Sequence, residues 1–542
     1  MLRSCCVHVA IFFLALAPGN AAADGHHKAA PPRPSHAPLP RQMQAILNDP
    51  AIAGAQWGIS VATLDGAVLY QHNDDQRFAA ASNTKLLTTA AALGLLGPQF
   101  TTVTRVLAPA ILNSGAMPGT VPGTVRGDLT LVGAGDTSMS ARELPFALRT
   151  VRDGDPLAAY DDLAAQVARA GVREVTGNIV GDDTYFVDQP WPQGWEWNDL
   201  QWEYGAPVSA LVTNDNVQYL SITPGDAVGA PAIYSWLPQI ANFTLESTVR
   251  TVVPRPGIQA ALGVSRLPGS RTVRLWGTIP LGAQPSSMAL AVDDAAFYAA
   301  EALKERLELH GVRVDGVATA RHRLPQDVAA AESSSDSTDS SETSAAPATP
   351  AATIPSPSDT NSGVVLATRI SPPLLQDLTV TNKVSQNLHA EIALLQLAAN
   401  YGGSRAAALA IERRFLLAAG LQPTDFFLRD GCGLSRDDMV TPRAFTTLLR
   451  YAAAQPWGAA WKATLPVAGV DGSLAERFTR APLRGNVFAK TGSLDEDAAL
   501  TGYVVTVSGR TLAFSILCNR HLPSGAARAA IDRMVAAIAA TR

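Results

Sequence analysis

Short apolar runs near both ends of the chain predict a sheet framed by amphipathic helices. Residues 57–62 and 67–70 predict two strands joined by an Asp-Gly hairpin turn. A helix is expected from Ser82 to about Leu96, where a Leu- and Ala-rich segment ends at a Gly-Pro pair. Further helices are predicted at 157–170, 295–310, 371–378, 387–400, 404–419 and 526–540, and further strands at 501–507 and 512–519.

The pattern divides the chain into a split domain and an insertion. Residues 98–328 consist mainly of short runs rich in Gly, Pro, Thr and Val, so we expect an inserted, largely β region of two nested units. Residues 44–97 plus 364–542 then form one α/β (α+β) domain. Residues 329–363 are acidic and rich in Ser, cannot bury a core, and are predicted to be a disordered linker.

The N-terminal residues predict export. Residues 1–23 read as a signal peptide, with a charged start, an apolar stretch and a small-residue cleavage site, and 24–43 as a disordered leader. We therefore expect secretion across the inner membrane to the periplasm or the extracytoplasmic cell wall. No later run reaches about 18 uninterrupted apolar residues, so no integral span is expected in the mature protein. A net charge of −5 argues against nucleic acid as a partner.

Two cysteines remain after the signal peptide, Cys432 and Cys518. In an oxidising compartment they could pair as a disulfide. They could equally be two separate buried thiols that act as small hydrophobic side chains. The sequence leaves both readings open.

Three short motifs carry the candidate chemistry: Ser82-Asn83-Thr84-Lys85, Ser385-Gln386-Asn387 and Lys490-Thr491-Gly492. Each motif alone is a weak signal. The chain holds 42 Lys and Arg residues, and only six of these are lysines. Two of the six fall in the motifs, at Lys85 and Lys490. A buried lysine can lose its proton near neutral pH whereas an arginine stays protonated, so these positions are expected to need a lysine.

The first two motifs supply a nucleophile and proton-transfer groups. Ser82 and Lys85 are three residues apart on one helical face, so a neutral Lys85 could take the Ser82 proton. Ser385 could relay a proton to the leaving amine, and Asn387 could hold the substrate amide. The alternative for Ser82 is an ordinary helix cap.

The third motif supplies a substrate site. Lys490, Thr491 and Gly492 are expected on a strand, where they bind the C-terminal carboxylate of a substrate. The backbone N–H groups of Ser82 and Ser493 are the expected oxyanion-hole donors. This chemistry needs no metal and no cofactor.

With these motifs the chain resembles the class C low-molecular-mass penicillin-binding proteins, the D-alanyl-D-alanine carboxypeptidase/endopeptidase family with inserted domains. The resemblance implies a penicillin-binding protein/serine β-lactamase-like transpeptidase fold, with an antiparallel sheet flanked by helices. It also implies a serine peptidase that acts on peptidoglycan stem peptides and cross-links and is acylated by β-lactam antibiotics. Supporting segments are 127–136, 181–186, 206–211, 371–374 and 430–435. Cys432 departs from the Ser or Thr that is usual in the family.

The resemblance also suggests two residues that recognise the stem peptide. Asp182 would face the free amine of its third residue, and Arg436 would assist. The alternatives are a turn aspartate and a surface arginine. The tryptophans at 191, 195, 197 and 202 could line a glycan cleft, although a core and cover for the inserted region is the favoured interpretation.

Three other functions are alternatives to this hypothesis. A serine β-lactamase or esterase of the same fold would use the same motifs, but the nearest match to a water-activating element, residues 174–178, falls in the insertion. A histidine-based hydrolase is disfavoured, and His389 is interpreted as an ordinary helix residue. A catalytically idle cell-wall binding protein would be expected to lack some of Ser82, Lys85 and Lys490.

Overall fold

A five-stranded antiparallel sheet is built from both ends of the chain. The third motif lies on its edge strand, and the first motif packs beside that edge. The computed structural model describes residues 37–109, 111–112, 123–147, 152, 154–327 and 363–542. Gln56–Thr63 (β1) lies between Val68–His72 (β2) and Thr511–Asn519 (β24). Asp497–Val505 (β23) and Val487–Leu494 (β22) complete the sheet.

The other described elements follow in chain order. The strands are Phe78–Ala79 (β3), Val103–Ala108 (β4), Ile111–Leu112 (β5), Thr124–Val125 (β6), Leu129–Val132 (β7), Glu174–Val175 (β8), Ile179–Val187 (β9), Val217–Thr223 (β10), Ile233–Leu237 (β11), Thr244–Ser247 (β12), Arg250–Val252 (β13), Ala261–Ser265 (β14), Thr272–Pro280 (β15), Ser286–Ala291 (β16), Arg313–Val314 (β17), Ala318–Arg323 (β18), Val364–Ile370 (β19), Phe426–Phe427 (β20) and Met439–Val440 (β21). The α-helices are Leu39–Leu47 (α1), Lys85–Leu96 (α2), Ala158–Arg169 (α3), Ala295–Leu309 (α4), Leu374–Lys383 (α5), Asn387–Gln396 (α6), Arg405–Ala418 (α7), Pro442–Ala453 (α8), Gly458–Thr464 (α9) and Ala526–Ala539 (α10).

Helices cover both faces of the five-stranded sheet. Because successive side chains of a strand point to opposite faces, β23 contributes to two cores. Ala499 and Tyr503 join the core that contains α2, α6 and α8, whereas Leu500 and Val504 join the core that contains α1 and α10. Helix α2 is buried over most of its length, so its first residue, Lys85, is held in a fixed position.

The inserted segment forms its own sheets and cores. Strands β18, β9 and β7 run parallel, β4 and β19 continue that sheet in antiparallel pairing, and α3 and α4 pack against it. Two smaller sheets, β11-β10-β16 and the four strands β12–β15, share a separate apolar core that includes Leu220, Leu275 and Ile279.

Several element boundaries differ from the sequence predictions. Residues 364–370 do not open the second half of the peptidase domain but pair with β4, where they satisfy the backbone groups along its edge. The helix expected at 371–378 begins only at Leu374, because two prolines precede it. Helix α1 begins inside the predicted leader, at Leu39, because the side chains of Leu39 and Met43 are buried in the sheet core.

The remaining predictions concern the terminal and linker segments, the two cysteines and membrane spans. The signal peptide, residues 24–36 of the leader and the linker up to residue 362 lie outside the described residues. Cys432 and Cys518 are both free and buried, and they belong to different apolar clusters, so they are two separate thiols. Among the helices of the described ranges, none is long and apolar enough to cross a membrane.

The tryptophans of 191–202 do not act together as a core of the inserted region. Trp195 packs against the peptidase core beside Cys432 and Leu434, and its indole N–H donates to Asp430 Oδ2 at 2.8 Å. Trp197 is 69% exposed. The favoured interpretation was therefore wrong for Trp195, because this side chain crosses from the insertion to a buried carboxylate of the other domain.

Candidate active site

Ser82 lies in one turn of 3-10 helix, Ala81–Thr84, immediately before α2. The sequence placed it at the start of the α-helix itself, but the Asn83 N–H bonds to the carbonyl of Ala80, as in the tighter helix. Ala81 has a positive φ of 47°, an unfavourable conformation that is common at functional sites. The turn presents the Ser82 hydroxyl 2.9 Å from Lys85 Nζ.

Lys85 is fully buried and its ammonium nitrogen has three protein partners. Besides Ser82, it donates to Asn387 Oδ1 at 2.6 Å and to the Cys432 carbonyl at 2.7 Å. Burial lowers the pKa of Lys85, although the surrounding acidic groups, including Asp430 and Glu391, oppose part of that shift. A lysine in this state can exchange a proton with the hydroxyl beside it.

The second motif meets the first at the N-terminus of α6. Asn387 is the first residue of that helix, and its Nδ2 donates to the Tyr204 carbonyl of the insertion at 2.8 Å. Ser385, two residues earlier, adopts a positive φ of 64°. A non-glycine residue keeps such a conformation only where its surroundings fix it, and Lys490 Nζ donates to Ser385 Oγ at 2.7 Å.

The third motif lies on the edge strand β22. Lys490 is fully buried, and both burial and the nearby charge of Lys85 hold the pKa of Lys490 well below its ordinary value. Its Nζ also donates to the Thr491 carbonyl at 2.8 Å. Burial thus disfavours the charged form of both lysines, and the charge of Lys85 disfavours that of Lys490 further, which makes a neutral amine available at the site.

Gly492 allows β22 to approach the Ser82 turn closely. A Cβ at this position would lie 2.8 Å from the Ala80 carbonyl oxygen and 3.2 Å from Ala81 Cβ. Carbon and oxygen atoms do not approach this closely without a shift of one of them. The glycine is therefore needed for the strand and the nucleophile turn to touch.

A small cavity opens beside the third motif. Its volume is about 150 Å³, and its lining includes the hydroxyl residues Ser473, Thr491 and Ser493 and the cationic residues Arg477 and Arg528. Thr491 Oγ1 lies 2.7 Å from Ser473 Oγ. Arg477 pairs with Asp532, so the hydroxyls and the guanidinium of Arg528 are the groups that suit an anionic ligand such as a carboxylate.

The structure gives Asp182 and Arg436 protein partners. Asp182 lies on β9, is 2% exposed, and pairs with Arg321 at 3.1 Å. Arg436 pairs with Glu196 and, at 3.0 Å, with Asp495 in the turn after β22. Arg436 is thus near the third motif, whereas the carboxylate of Asp182 is directed into the sheet of the insertion. Their predicted part in recognising the peptide stays a prediction.

Two carboxylates near Tyr204, those of Asp199 and Asp495, were not among the site residues predicted from the sequence. Tyr204 is 42% exposed, and its partial burial together with the carboxylates of Asp199 and Asp495 raises its pKa to about 12. Burial raises the pKa of Asp199 as well. Asp199 belongs to the insertion and Asp495 to the turn after β22, so both parts of the chain place a carboxylate near the residue whose carbonyl accepts from Asn387. Only an ordinary Trp-rich segment marked this region in the sequence.

His389 was interpreted as an ordinary helix residue, and this was wrong. Its side chain is 3% exposed and lies between two carboxylates, with Nδ1 2.6 Å from Asp377 and Nε2 3.4 Å from Asp215. Burial alone would lower the pKa of His389, but the two carboxylates outweigh burial and raise it. Asp215 comes from the insertion, so no local pattern could have paired it with a helix 174 residues later.

One buried cluster has a donor set that metals use, namely Glu391, Asp430 and Cys432, whose ligand atoms lie within 4.8 Å of one another. Protein donors already occupy these groups. Glu391 pairs with Arg405 and accepts from the Gly431 N–H, and Asp430 accepts from the N–H groups of Cys432, Gly433 and Ser435. The cluster therefore fits the support of the loop whose Cys432 carbonyl holds Lys85 better than it fits a cation.

The sequence matches the D-Ala-D-Ala carboxypeptidase 3 (S13) family over residues 39–339 and 345–541. A D-alanyl-D-alanine carboxypeptidase of Actinomadura sp. (strain R39) is 33% identical over 517 residues, which is 92% of this chain and 84% of that protein. The D-alanyl-D-alanine carboxypeptidase DacB of Haemophilus influenzae is 25% identical over 464 residues, which is 84% of this chain and 83% of that protein.

The fold is similar to that of a solved protein. The crystal structure of penicillin binding protein 4 (dacB) from Haemophilus influenzae superimposes with a TM-score of 0.70 at 23% identity, and covers 92% of this chain and 97% of that one. A second structure of that protein, complexed with a β-lactam, superimposes with a TM-score of 0.65 at 21% identity, covering 91% and 97% of the two chains.

Proposed function

The chain belongs to the D-Ala-D-Ala carboxypeptidase 3 (S13) family and is a serine-type D-Ala-D-Ala carboxypeptidase; from this premise we propose that Ser82 is its nucleophile and Lys85 its base. The observation that carries the proposal is the 2.9 Å contact between Lys85 Nζ and Ser82 Oγ, made by a fully buried amine whose pKa burial lowers.

Acylation begins with proton transfer from Ser82 to neutral Lys85. The Ser82 oxygen then attacks the carbonyl carbon of the penultimate D-alanine of a peptidoglycan stem peptide. The backbone N–H groups of Ser82 and Ser493 stabilise the negative oxygen that forms. The close approach of β22 to the Ser82 turn at Gly492 supports this pairing of donors.

The C–N bond then breaks and the terminal D-alanine leaves as a free amine. Ser385 supplies a proton to that nitrogen, and the proton that Lys85 removed from Ser82 replaces it. The 2.7 Å bond from Lys490 to Ser385 supports this role, because Lys490 donates to the Ser385 oxygen and leaves the hydroxyl hydrogen of Ser385 free for the leaving nitrogen. Asn387 holds the peptide amide, while Thr491, Ser493 and Arg528 bind the terminal carboxylate.

Deacylation uses water, which attacks the ester and returns Ser82. When the leaving group has diffused away, water can reach the ester carbon. A penicillin instead keeps its opened ring attached in the site, so we propose that β-lactam antibiotics acylate Ser82 and remain bound for minutes to hours. The same chemistry applies to a cross-link between stem peptides, and we propose endopeptidase activity on that substrate.

The domain and location proposals complete this function. Residues 44–97 and the segment after the insertion make the catalytic domain, and the inserted residues contribute Tyr204 and Asp215 to its site. Peptidoglycan is the substrate of an extracytoplasmic enzyme, and we propose that the N-terminal signal directs this chain to the periplasm or cell wall.

Mass spectrometry after exposure to benzylpenicillin tests the proposal. We expect one adduct per chain, on the peptide that contains Ser82, and hydrolysis of a D-Ala-D-Ala pentapeptide at about 1 per second or faster. Ser82→Ala should abolish both, whereas Ser287→Ala, a matched change at an exposed serine of the insertion, should preserve both. Adduct formation at full strength in Ser82→Ala would contradict the assignment of the nucleophile.

A further inference from the structure

A buried charge network joins the insertion to the second motif. Asp215 lies in the turn Asn214–Asn216, where all three residues have positive φ, and its carboxylate is 1% exposed. Arg142 Nε donates to its Oδ2 at 2.7 Å, and the guanidinium of Arg152 pairs with the same oxygen. Burial would raise the pKa of Asp215, but the two guanidinium groups hold it well below its ordinary value. The carboxylate is therefore a fixed anion.

The same carboxylate contacts α6 on both sides of Asn387. Oδ2 accepts from Gln386 Nε2 at 3.0 Å, and Oδ1 lies 3.4 Å from His389 Nε2. The other nitrogen of His389 faces Asp377 of α5. One aspartate of the insertion thus fixes the residue before Asn387 and the residue two positions after it.

These contacts affect the positions of two residues of the second motif, Asn387 and Ser385. Asn387 must keep its Oδ1 toward Lys85 at 2.6 Å, and Ser385 must keep its positive φ while it accepts from Lys490. Gln386 is the residue between them and the N-cap of α6, because its Oε1 accepts from the Leu388 N–H at 2.9 Å. A group that holds Gln386 therefore holds both neighbours.

We propose that Asp215 is a positioning residue for acyl transfer, which acts by clamping Gln386 and His389 so that the second motif meets Lys85 and Lys490. The inference rests on the proposed function and extends it. The catalytic domain alone would have an incompletely fixed second motif, and the insertion supplies the missing contact.

Substitutions that change the charge of Gln386 or Asp215 test the contact between these two residues. Gln386→Glu keeps the N-cap acceptor but places a carboxylate against Asp215, so the contact becomes repulsive. Because a displacement of about 1 Å can cost on the order of 100-fold in rate, we expect acylation by a fluorescent penicillin to fall roughly 10- to 100-fold. Asp215→Asn should cause a similar loss, since it leaves two guanidinium groups without their anion.

The double variant Asp215→Asn/Gln386→Glu should restore acylation to within about fivefold of the wild-type rate. In it, the new amide at 215 can donate to the new carboxylate at 386, which also replaces the lost negative charge. Rescue of this kind separates a positioning contact from general destabilisation. If Asp215→Asn does not fold, Gln386→Glu and the double variant still decide the question.

The pH dependence of the acylation rate provides a measurement that a loss of stability alone would not change. Displacement of the Asn387 acceptor removes a bond to the charged form of Lys85, so the acid limb of acylation should shift down in both single variants, whereas the change of charge alone would shift it up in Gln386→Glu and down in Asp215→Asn. The titratable groups around Lys85 are Cys432, Asp430, Glu391, Asp438 and Lys490, and these variants leave all of them in place.

Glu174→Gln is the control. This buried carboxylate of the insertion pairs with Arg313 on the neighbouring strand, and neither Asp215 nor Gln386 belongs to their sheet. We expect it to acylate within about twofold of wild type. Wild-type rates in Gln386→Glu, or a double variant no faster than the slower single variant, would overturn the inference. Absence of Ser82 labelling in the wild-type chain would instead overturn the proposed function.

Discussion

Replacing Gly492 with alanine should slow acylation by a predictable amount. The new Cβ would lie 2.8 Å from the Ala80 carbonyl oxygen and 3.1 Å from Ala499 Cβ. Ordinary van der Waals contact begins near 3.4 Å, so β22 and the Ser82 turn must separate by roughly 0.6 Å. A misplacement of about 1 Å is worth on the order of 100-fold in rate.

We therefore expect Gly492→Ala to lower the second-order acylation rate constant roughly tenfold, which is about 1.4 kcal/mol of activation free energy. Overpacking of this kind typically costs 1–3 kcal/mol of stability, so the thermal midpoint should also fall. The assay is the time course of labelling with a fluorescent penicillin at several concentrations, with thermal unfolding measured on the same samples.

Gly94→Ala is the control. Its Cβ would meet the ring of Phe415 at 2.7 Å, so it overpacks a core at the far end of α2 without touching the Ser82 turn. We expect a change in stability with an acylation rate near the wild-type value. An unchanged rate in Gly492→Ala, or an equal loss of rate in both variants, would refute the argument from the approach of the strand.

Three further predictions follow from the charges and thiols of the structure. Arg528→Ala should raise the KM for peptides with a free terminal carboxylate by several-fold and leave peptide amides unaffected, as measured by steady-state hydrolysis; equal effects on both would count against the carboxylate cavity. His322 pairs with two carboxylates that raise its pKa to about 11, so its stabilising effect is fully present below its unfolded pKa of about 6.5 and declines as the pH rises toward 11. His322→Gln should accordingly lower the thermal midpoint more at pH 6 than at pH 10, and a constant difference would contradict this. Burial raises the pKa of Cys432 and of Cys518, so a thiol reagent should modify both only on unfolding, and rapid labelling of either in the native protein would be inconsistent with their burial.

The sequence by itself determined the reaction and the family. The three motifs named a serine nucleophile, a nearby lysine and a substrate strand, and the family match and the fold comparison confirm the predicted family, fold class and D-Ala-D-Ala carboxypeptidase activity. This was possible because Ser82 and Lys85 interact locally, through helical spacing, and because each motif carries its chemistry in a few adjacent residues. Most of the described α-helices followed from the same local periodicity, but only a few of the strands did.

Only the tertiary structure decided which distant groups complete the site. The contact of Asp215 with Gln386 joins residues 171 positions apart, and that of Asn387 with the Tyr204 carbonyl joins residues 183 positions apart. Such pairs depend on how the insertion docks on the helices, and no spacing along the chain encodes that docking. The same reason explains the error at His389: a histidine in an apolar helix looks ordinary in the sequence, and only the folded chain brings two carboxylates from other elements into contact with it.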